Sequence, residues 1–183
     1  MFKQRLQKHD RGGRILSEIE KSTGKKLKIE RSDDWSEYDP DAFEIRVGSE
    51  SWGEMTWPNR ILFHGFGHAV LDCYWAKFDQ EAFEKLFLGK PSLARAKGTP
   101  KLYSDASTRF VRPSVTEYGR SASEEAWAEA FSFVMSGRES KGLPEEVVAQ
   151  LEFALWVIQN IEEKRGAWGK FQTQALKRTG HAA

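Results

Sequence analysis

Three observations predict an α+β fold: apolar residues recur at helical spacing over long parts of the chain, two short stretches between residues 27 and 47 alternate apolar with polar, and glycine, proline and aspartate clusters separate the two patterns. A chain of 183 residues is long enough for one domain with its own core, and nothing in the composition divides it, so residues 1–183 read as a single domain.

Residues 2–22 read as an N-terminal helix carrying Leu6, Ile15, Leu16 and Ile19, with a weak point at Gly12-Gly13, where each glycine costs about 1 kcal/mol against alanine. Leu27 and Ile29 alternate with charged residues. After the turn signal Tyr38-Asp39-Pro40-Asp41, Phe43, Ile45 and Val47 alternate again, which predicts two half-buried strands. Residues 48–58, with Trp52 and Trp57, have no period and read as a loop into the next helix. That helix has Thr56 as a candidate cap, Pro58 suited to the first turn, and Ile61, Leu62 and Leu71 as apolar cover. A short helix follows over 79–88 with Phe83, Leu86 and Phe87, and residues 89–113 read as an irregular basic loop. Such a loop either touches an anionic partner or is simply solvated.

Ser121-Ala122-Ser123-Glu124 has the form of a capping box, opening a helix that Gly137 stops. Pro144 opens the last helix, whose Val147, Val148, Leu151, Leu155, Ile158 and Ile161 form a core stripe ending before Gly166. The segment 167–183 reads as a loosely held basic tail.

Lys plus Arg number 28 against 27 Asp plus Glu, a net charge of +1, so no overall field favours nucleic acid or a membrane surface. No apolar run is long enough for a membrane span. The first residues lack the apolar core of a signal peptide, so the expectation is cytoplasmic synthesis, with signal-independent export left open. Cys73 is the single cysteine, which excludes a disulfide framework and a cysteine-rich metal site; its simplest reading is a small buried hydrophobe. Any metal must therefore use histidine and carboxylate.

His64 and His68 stand four apart on one predicted helix and can aim both imidazoles at one point. Against the zinc-protease pattern His-Glu-x-x-His, both histidines agree and Gly65 stands where the glutamate belongs. Histidine pairs at this spacing also arise in ordinary cores and surfaces. On the helix after Ser123, Glu125 and Glu129 share a face, while Trp127, Ala130, Phe131 and Val134 make the rest apolar. Buried carboxylates need a partner, such as a metal or a metal-bound histidine. The alternative is a narrow solvent stripe of Glu125, Glu129, Ser132 and Ser136. Two histidines and one glutamate are the ligand set of hydrolytic zinc sites with an open fourth position. Asp72 is a poor rival, since it lies eight residues, about 12 Å, along the helix from His64.

The block Phe63 to Val70, together with Thr116 to Phe131, resembles the catalytic domain of anthrax lethal factor and its zincin-like relatives in bacterial toxins and phages. The likeness runs in outline from Leu27 to Phe131 and is specific in those two blocks. It implies a zincin-like metalloprotease fold with a small mixed sheet, and a zinc-dependent endopeptidase. It maps the zinc ligands onto His64, His68 and Glu125, a carbonyl-polarising tyrosine onto Tyr118, and the support of the first histidine onto Glu129. It also implies a protein or peptide substrate lying along an edge strand, expected near Phe43 to Val47, and leaves room for an inhibitor or immunity protein.

In the intact mechanism a glutamate takes a proton from zinc-bound water, and that glutamate falls on Gly65. General acid-base help is worth about 10²- to 10⁴-fold, so hydrolysis is expected to be severely weakened while zinc binding survives. Three explanations stay open: a base lost by engineering or selection, a pseudoprotease that keeps the site to bind peptides or proteins, and an enzyme recruiting another acid such as Glu54 or Glu117.

Overall fold

The computed structural model describes residues 13–48, 57–78, 80–88, 90–92, 109–111 and 113–161. Its helices are α1 (Arg14–Thr23), α2 (Trp57–Tyr74), α3 (Gln80–Leu88), α4 (Ser123–Met135) and α5 (Glu145–Gln159), with short 3-10 turns at Trp75–Lys77 and Tyr118–Arg120. Its strands are β1 (Lys28–Arg31), β2 (Glu37–Asp39), β3 (Glu44–Val47), β4 (Lys90–Ser92) and β5 (Arg109–Val111). The expected mixture of helices and a small sheet is present.

The sheet differs from expectation. Three strands, not two, run in the order β1-β3-β2, with β1 parallel and β2 antiparallel to β3. Tyr38 and Asp39, read as part of a turn, belong to β2 and pair with Ile45 and Glu44. Sequence periodicity missed β2 because a three-residue polar strand has too little alternation to register; its ladder to β3 holds it, aided by Arg46, which bridges Glu37 and Glu44. The Phe43 to Val47 region is therefore the middle of the sheet and no edge; among the described residues the edges are β1 and β2. Phe43 precedes β3 at a left-handed φ of 51°, with its ring buried. Residues 90–92 and 109–111, placed in an irregular loop, pair as antiparallel strands.

The described part of the N-terminal helix begins just after Gly13, whose φ of 83° is outside the helical range, so this glycine bounds the helix Arg14–Thr23. The earlier part of the 2–22 helix, Thr56, Trp52, Glu54 and the 167–183 tail lie outside the described residues. The capping box does not form. Ala122 is the cap position without a side-chain bond, and Ser121 Oγ donates instead to the Tyr118 carbonyl at 2.8 Å. Helix α4 stops as expected: Gly137 takes φ 66°, and Gly137 N–H and Arg138 N–H reach the Val134 and Phe133 carbonyls, satisfying the last turn. The final helix ends at Gln159, earlier than the expected Gly166.

The core gathers α1, β3, α2, α3, α4 and α5 around Trp127. Its indole is fully buried among the rings of Phe78, Phe83, Phe87, Phe131 and Phe153, with centroids 5.6–6.2 Å away. Aromatic pairs at such separations add about 0.5–1.5 kcal/mol each beyond the area they bury. The same indole places the functional helices, because its Nε1 donates to the Gly67 carbonyl on α2 at 2.8 Å.

Candidate metal centre

Helices α2 and α4 meet at Gly67, which lies between the two histidines. A Cβ there would stand 3.0 Å from the Ala128 Cα and 3.2 Å from the Phe131 Cβ, so any side chain would push the backbones apart. With glycine and alanine at the crossing, the His64/His68 face of α2 comes against the Glu125/Glu129 face of α4. Neither helix shows this in its own sequence pattern.

The two faces converge. His64 Nε2 lies 3.0 Å from His68 Nε2 and 3.0 Å from Glu125 Oε2, and His68 Nε2 lies 3.4 Å from the same oxygen. A tetrahedral ion with bonds of about 2.0–2.2 Å holds its ligand atoms about 3.3–3.6 Å apart. The observed triangle is one face of such a tetrahedron, slightly contracted. Glu125 Oε2 is buried and receives no aligned hydrogen bond, although both imidazoles lie beside it. A buried carboxylate oxygen without a donor is costly, and a cation shared with two imidazoles would satisfy it. His64, His68 and Glu125 can hold a metal ion.

Glu129 is buried and faces His64 from the other side. Its Oε1 lies 3.0 Å from His64 Nδ1, and its Oε2 accepts from Arg60 Nη2 at 2.6 Å. The solvent-stripe alternative therefore fails for Glu129, and also for Ser132, which is buried and donates to the Arg60 carbonyl at 2.9 Å. Ser136 is exposed. Gly119 packs on this carboxylate: a Cβ there would lie 3.1 Å from Glu129 Cγ and would overlap Ser114 Oγ. The glycine thus lets the turn carrying Tyr118 lie close over the site. The Tyr118 and His64 ring centroids are 5.7 Å apart.

Electrostatics follow from this packing. Burial alone would raise the Glu125 carboxyl, but the neighbouring His64 and His68 rings outweigh it and hold the group at about 2. Burial likewise works to raise Glu129, and His64 and Arg60 together bring it below the ordinary value. Burial would lower the His64 pKa, and the two carboxylates flanking it reverse the sign and raise it. The Tyr118 hydroxyl is raised by desolvation and then by the Glu125 carboxylate, so it stays a proton donor at neutral pH.

The centre opens on a cleft of about 820 Å³, walled by Trp35, Tyr38 and Pro40 on the β2 side and by Arg60, Ile61 and Tyr118 on the other. Tyr38 lies parallel to the His68 ring, and its hydroxyl donates to Asp72 Oδ2 at 3.0 Å. Asp72 is thereby engaged away from the ligand triangle, as its position along the helix required. Cys73 is half-buried, with its thiol pushed up to about 12 by burial and then by Asp72, which leaves it inert. Glu117, one of the two acids considered as a replacement base, is almost fully exposed and bound to Arg120 at 2.7 Å, and it does not line the cleft.

Gly65 lines the cleft, and the sheet crowds it. Ile45, from the middle strand, presses its Cγ2 to 2.9 Å of where a Gly65 Cβ would stand. A side chain at 65 would therefore require this branched side chain of the sheet to shift. Sequence reading also missed Arg60 and Gly67. Arg60 lies one helical turn before His64, a spacing that could have raised the question; no comparable signal marks Gly67.

No protein-family model, curated protein or solved structure matches the chain. Among the described residues, no helix is long and apolar enough to cross a membrane.

Proposed function

We propose that the chain is a zinc-dependent endopeptidase scaffold of the zincin-like kind, with its hydrolytic step impaired by Gly65. The observation that carries this reading is the contact triangle of His64 Nε2, His68 Nε2 and Glu125 Oε2 at the floor of an open cleft. Two imidazoles and one carboxylate are a donor set of hydrolytic zinc sites, which they share with non-haem iron(II) centres. When bound, zinc supplies Lewis acidity toward a carbonyl and toward water.

The chain's own groups then divide the remaining work. Glu129 holds His64 by Nδ1 and so aims Nε2 at the ligand triangle. Tyr118, protonated and beside Glu125, donates toward charge developing on a substrate carbonyl oxygen. Among the described residues, proton removal from water has no owner: Gly65 lacks a side chain, Glu129 is committed to Arg60 and His64, and Glu117 is bound to Arg120. The peptide strand expected along the sheet edge moves from β3 to β2, whose residues 37 and 38 border the cleft.

A second reading, a pseudoprotease that binds a peptide or protein without cutting it, is favoured by the Ile45 contact at Gly65, since even a Cβ there would require Ile45 to shift. The experiment that separates the two is Gly65→Glu combined with Ile45→Ala, at full zinc occupancy, against a proteome-derived peptide library. Cleavage carries the endopeptidase reading. Peptide retention without cleavage carries the other.

A further inference from the structure

Arg60 is a charged side chain of the first part of α2 whose guanidinium reaches across to α4, and nothing in the ligand set calls for it. Its Nη2 donates to Glu129 Oε2 at 2.6 Å, while the other oxygen of that carboxylate lies 3.0 Å from His64 Nδ1. The side chain of Glu129 is 5% exposed and that of Arg60 is 25% exposed, so the pair works in a poorly solvated place. Ser132 Oγ, on the same helix as Glu129, holds the Arg60 backbone carbonyl at 2.9 Å. A line of contacts therefore runs from Arg60 through Glu129 to His64 and ends at the triangle with His68 and Glu125.

We propose that Arg60 is a positioning residue of this centre: it fixes the Glu129 carboxylate so that His64 keeps its proton on Nδ1 and turns a bare Nε2 toward His68 and Glu125. The physical reason lies in the two oxygens of one carboxylate. With Oε2 pinned by a short charge-assisted bond, Oε1 has a single direction left, and the imidazole that donates to it is fixed in both tautomer and ring angle. Without Arg60, the buried carboxylate retains one partner and is free to rotate toward it. The His64 tautomer is then no longer imposed.

The inference rests on the metal-binding reading above, and its test is arranged to separate the two. Zinc affinity is measured by competition with a chromophoric chelator for the natural chain, Arg60→Met, Arg60→Lys, Glu129→Gln and Arg60→Met with Glu129→Gln. Outer partners of a metal ligand are typically worth about 10- to 100-fold in affinity. Arg60→Met is expected to weaken zinc by about tenfold on that scale, Arg60→Lys to recover part of the loss, and the double variant to bind no worse than Glu129→Gln alone. A second readout needs no metal: nitrogen-15 shifts of His64 in alkaline buffer, where the ring is neutral, are expected to show the Nδ1–H tautomer in the natural chain and a mixture in Arg60→Met. An Arg60→Met chain with unchanged tautomer overturns the inference. So does a loss of affinity that adds independently to that of Glu129→Gln. Failure of the natural chain to bind zinc at all would instead remove the metal-binding reading, while the tautomer measurement still decides the role of Arg60.

Discussion

Ile45 on the central strand touches the helix at Gly65 so closely that its Cγ2 stands 2.9 Å from the place of a Cβ. In an ordinary helix interior, glycine to alanine gains about 1 kcal/mol. Here the contact is with a branched methyl fixed close to the strand backbone, and overpacking of that kind costs about 1–3 kcal/mol. Gly65→Ala is therefore expected to leave stability unchanged or lower in urea denaturation. In an Ile45→Ala background, itself about 2–5 kcal/mol less stable, the same substitution should become stabilising. A gain of about 1 kcal/mol in the natural background would show that the strand does not press on this position.

Gly67 governs whether the two halves of the centre meet. A Cβ there faces the Ala128 Cα at 3.0 Å, and backbone cannot step aside as a side-chain tip can. Gly67→Ala is expected to spread α2 from α4 and to weaken zinc binding at least about tenfold while helical circular dichroism persists. Unchanged zinc affinity in a folded Gly67→Ala chain would mean that the crossing distance is not what brings the ligands together.

The pH dependence of stability should reverse with metal. Glu125 stands at about 2 in the folded chain against an ordinary 4.5, so its contribution is full above 4.5 and is lost as pH falls toward 2. His64 is raised above 6.5, so its contribution is full below 6.5 and is lost as pH rises through its folded value. The metal-free chain should accordingly be most stable between those limits and less stable in alkali. Zinc requires neutral imidazoles, so the zinc-loaded chain should gain stability over the range where the metal-free chain loses it. Thermal melting across pH, with and without zinc, reads both curves; parallel curves would contradict the assignment of His64 as a ligand. Glu125→Gln should flatten the acid limb of the metal-free curve.

What the sequence disclosed was local. His64 with His68, and Glu125 with Glu129, are visible because a helix repeats every 3.6 residues and places such pairs on one face. The structure then joins the two pairs, through a helix crossing that depends on Gly67 and Ala128. Whether Glu129 faced water or protein was undecidable from α4 alone, because the answer lies in Arg60 and His64 on another helix. Strand β2 escaped notice since its order comes from pairing with β3 and not from its own alternation. The capping box at Ser121 failed because the preceding turn takes that hydroxyl for the Tyr118 carbonyl. That residue 65 is glycine was plain in the sequence, but the crowding of that place by Ile45 is a contact from the sheet that no local pattern shows.

The central claim is that His64, His68 and Glu125 hold one zinc between them, and metal content measures it directly. Purified chain dialysed against excess zinc, then freed of unbound metal, should carry about one zinc per molecule, the stoichiometry of a mononuclear site. His64→Ala with His68→Ala should carry none, and Glu125→Ala should bind far more weakly, with all three chains folded by circular dichroism. A natural chain without zinc, or a double-histidine variant that retains it, would contradict the account.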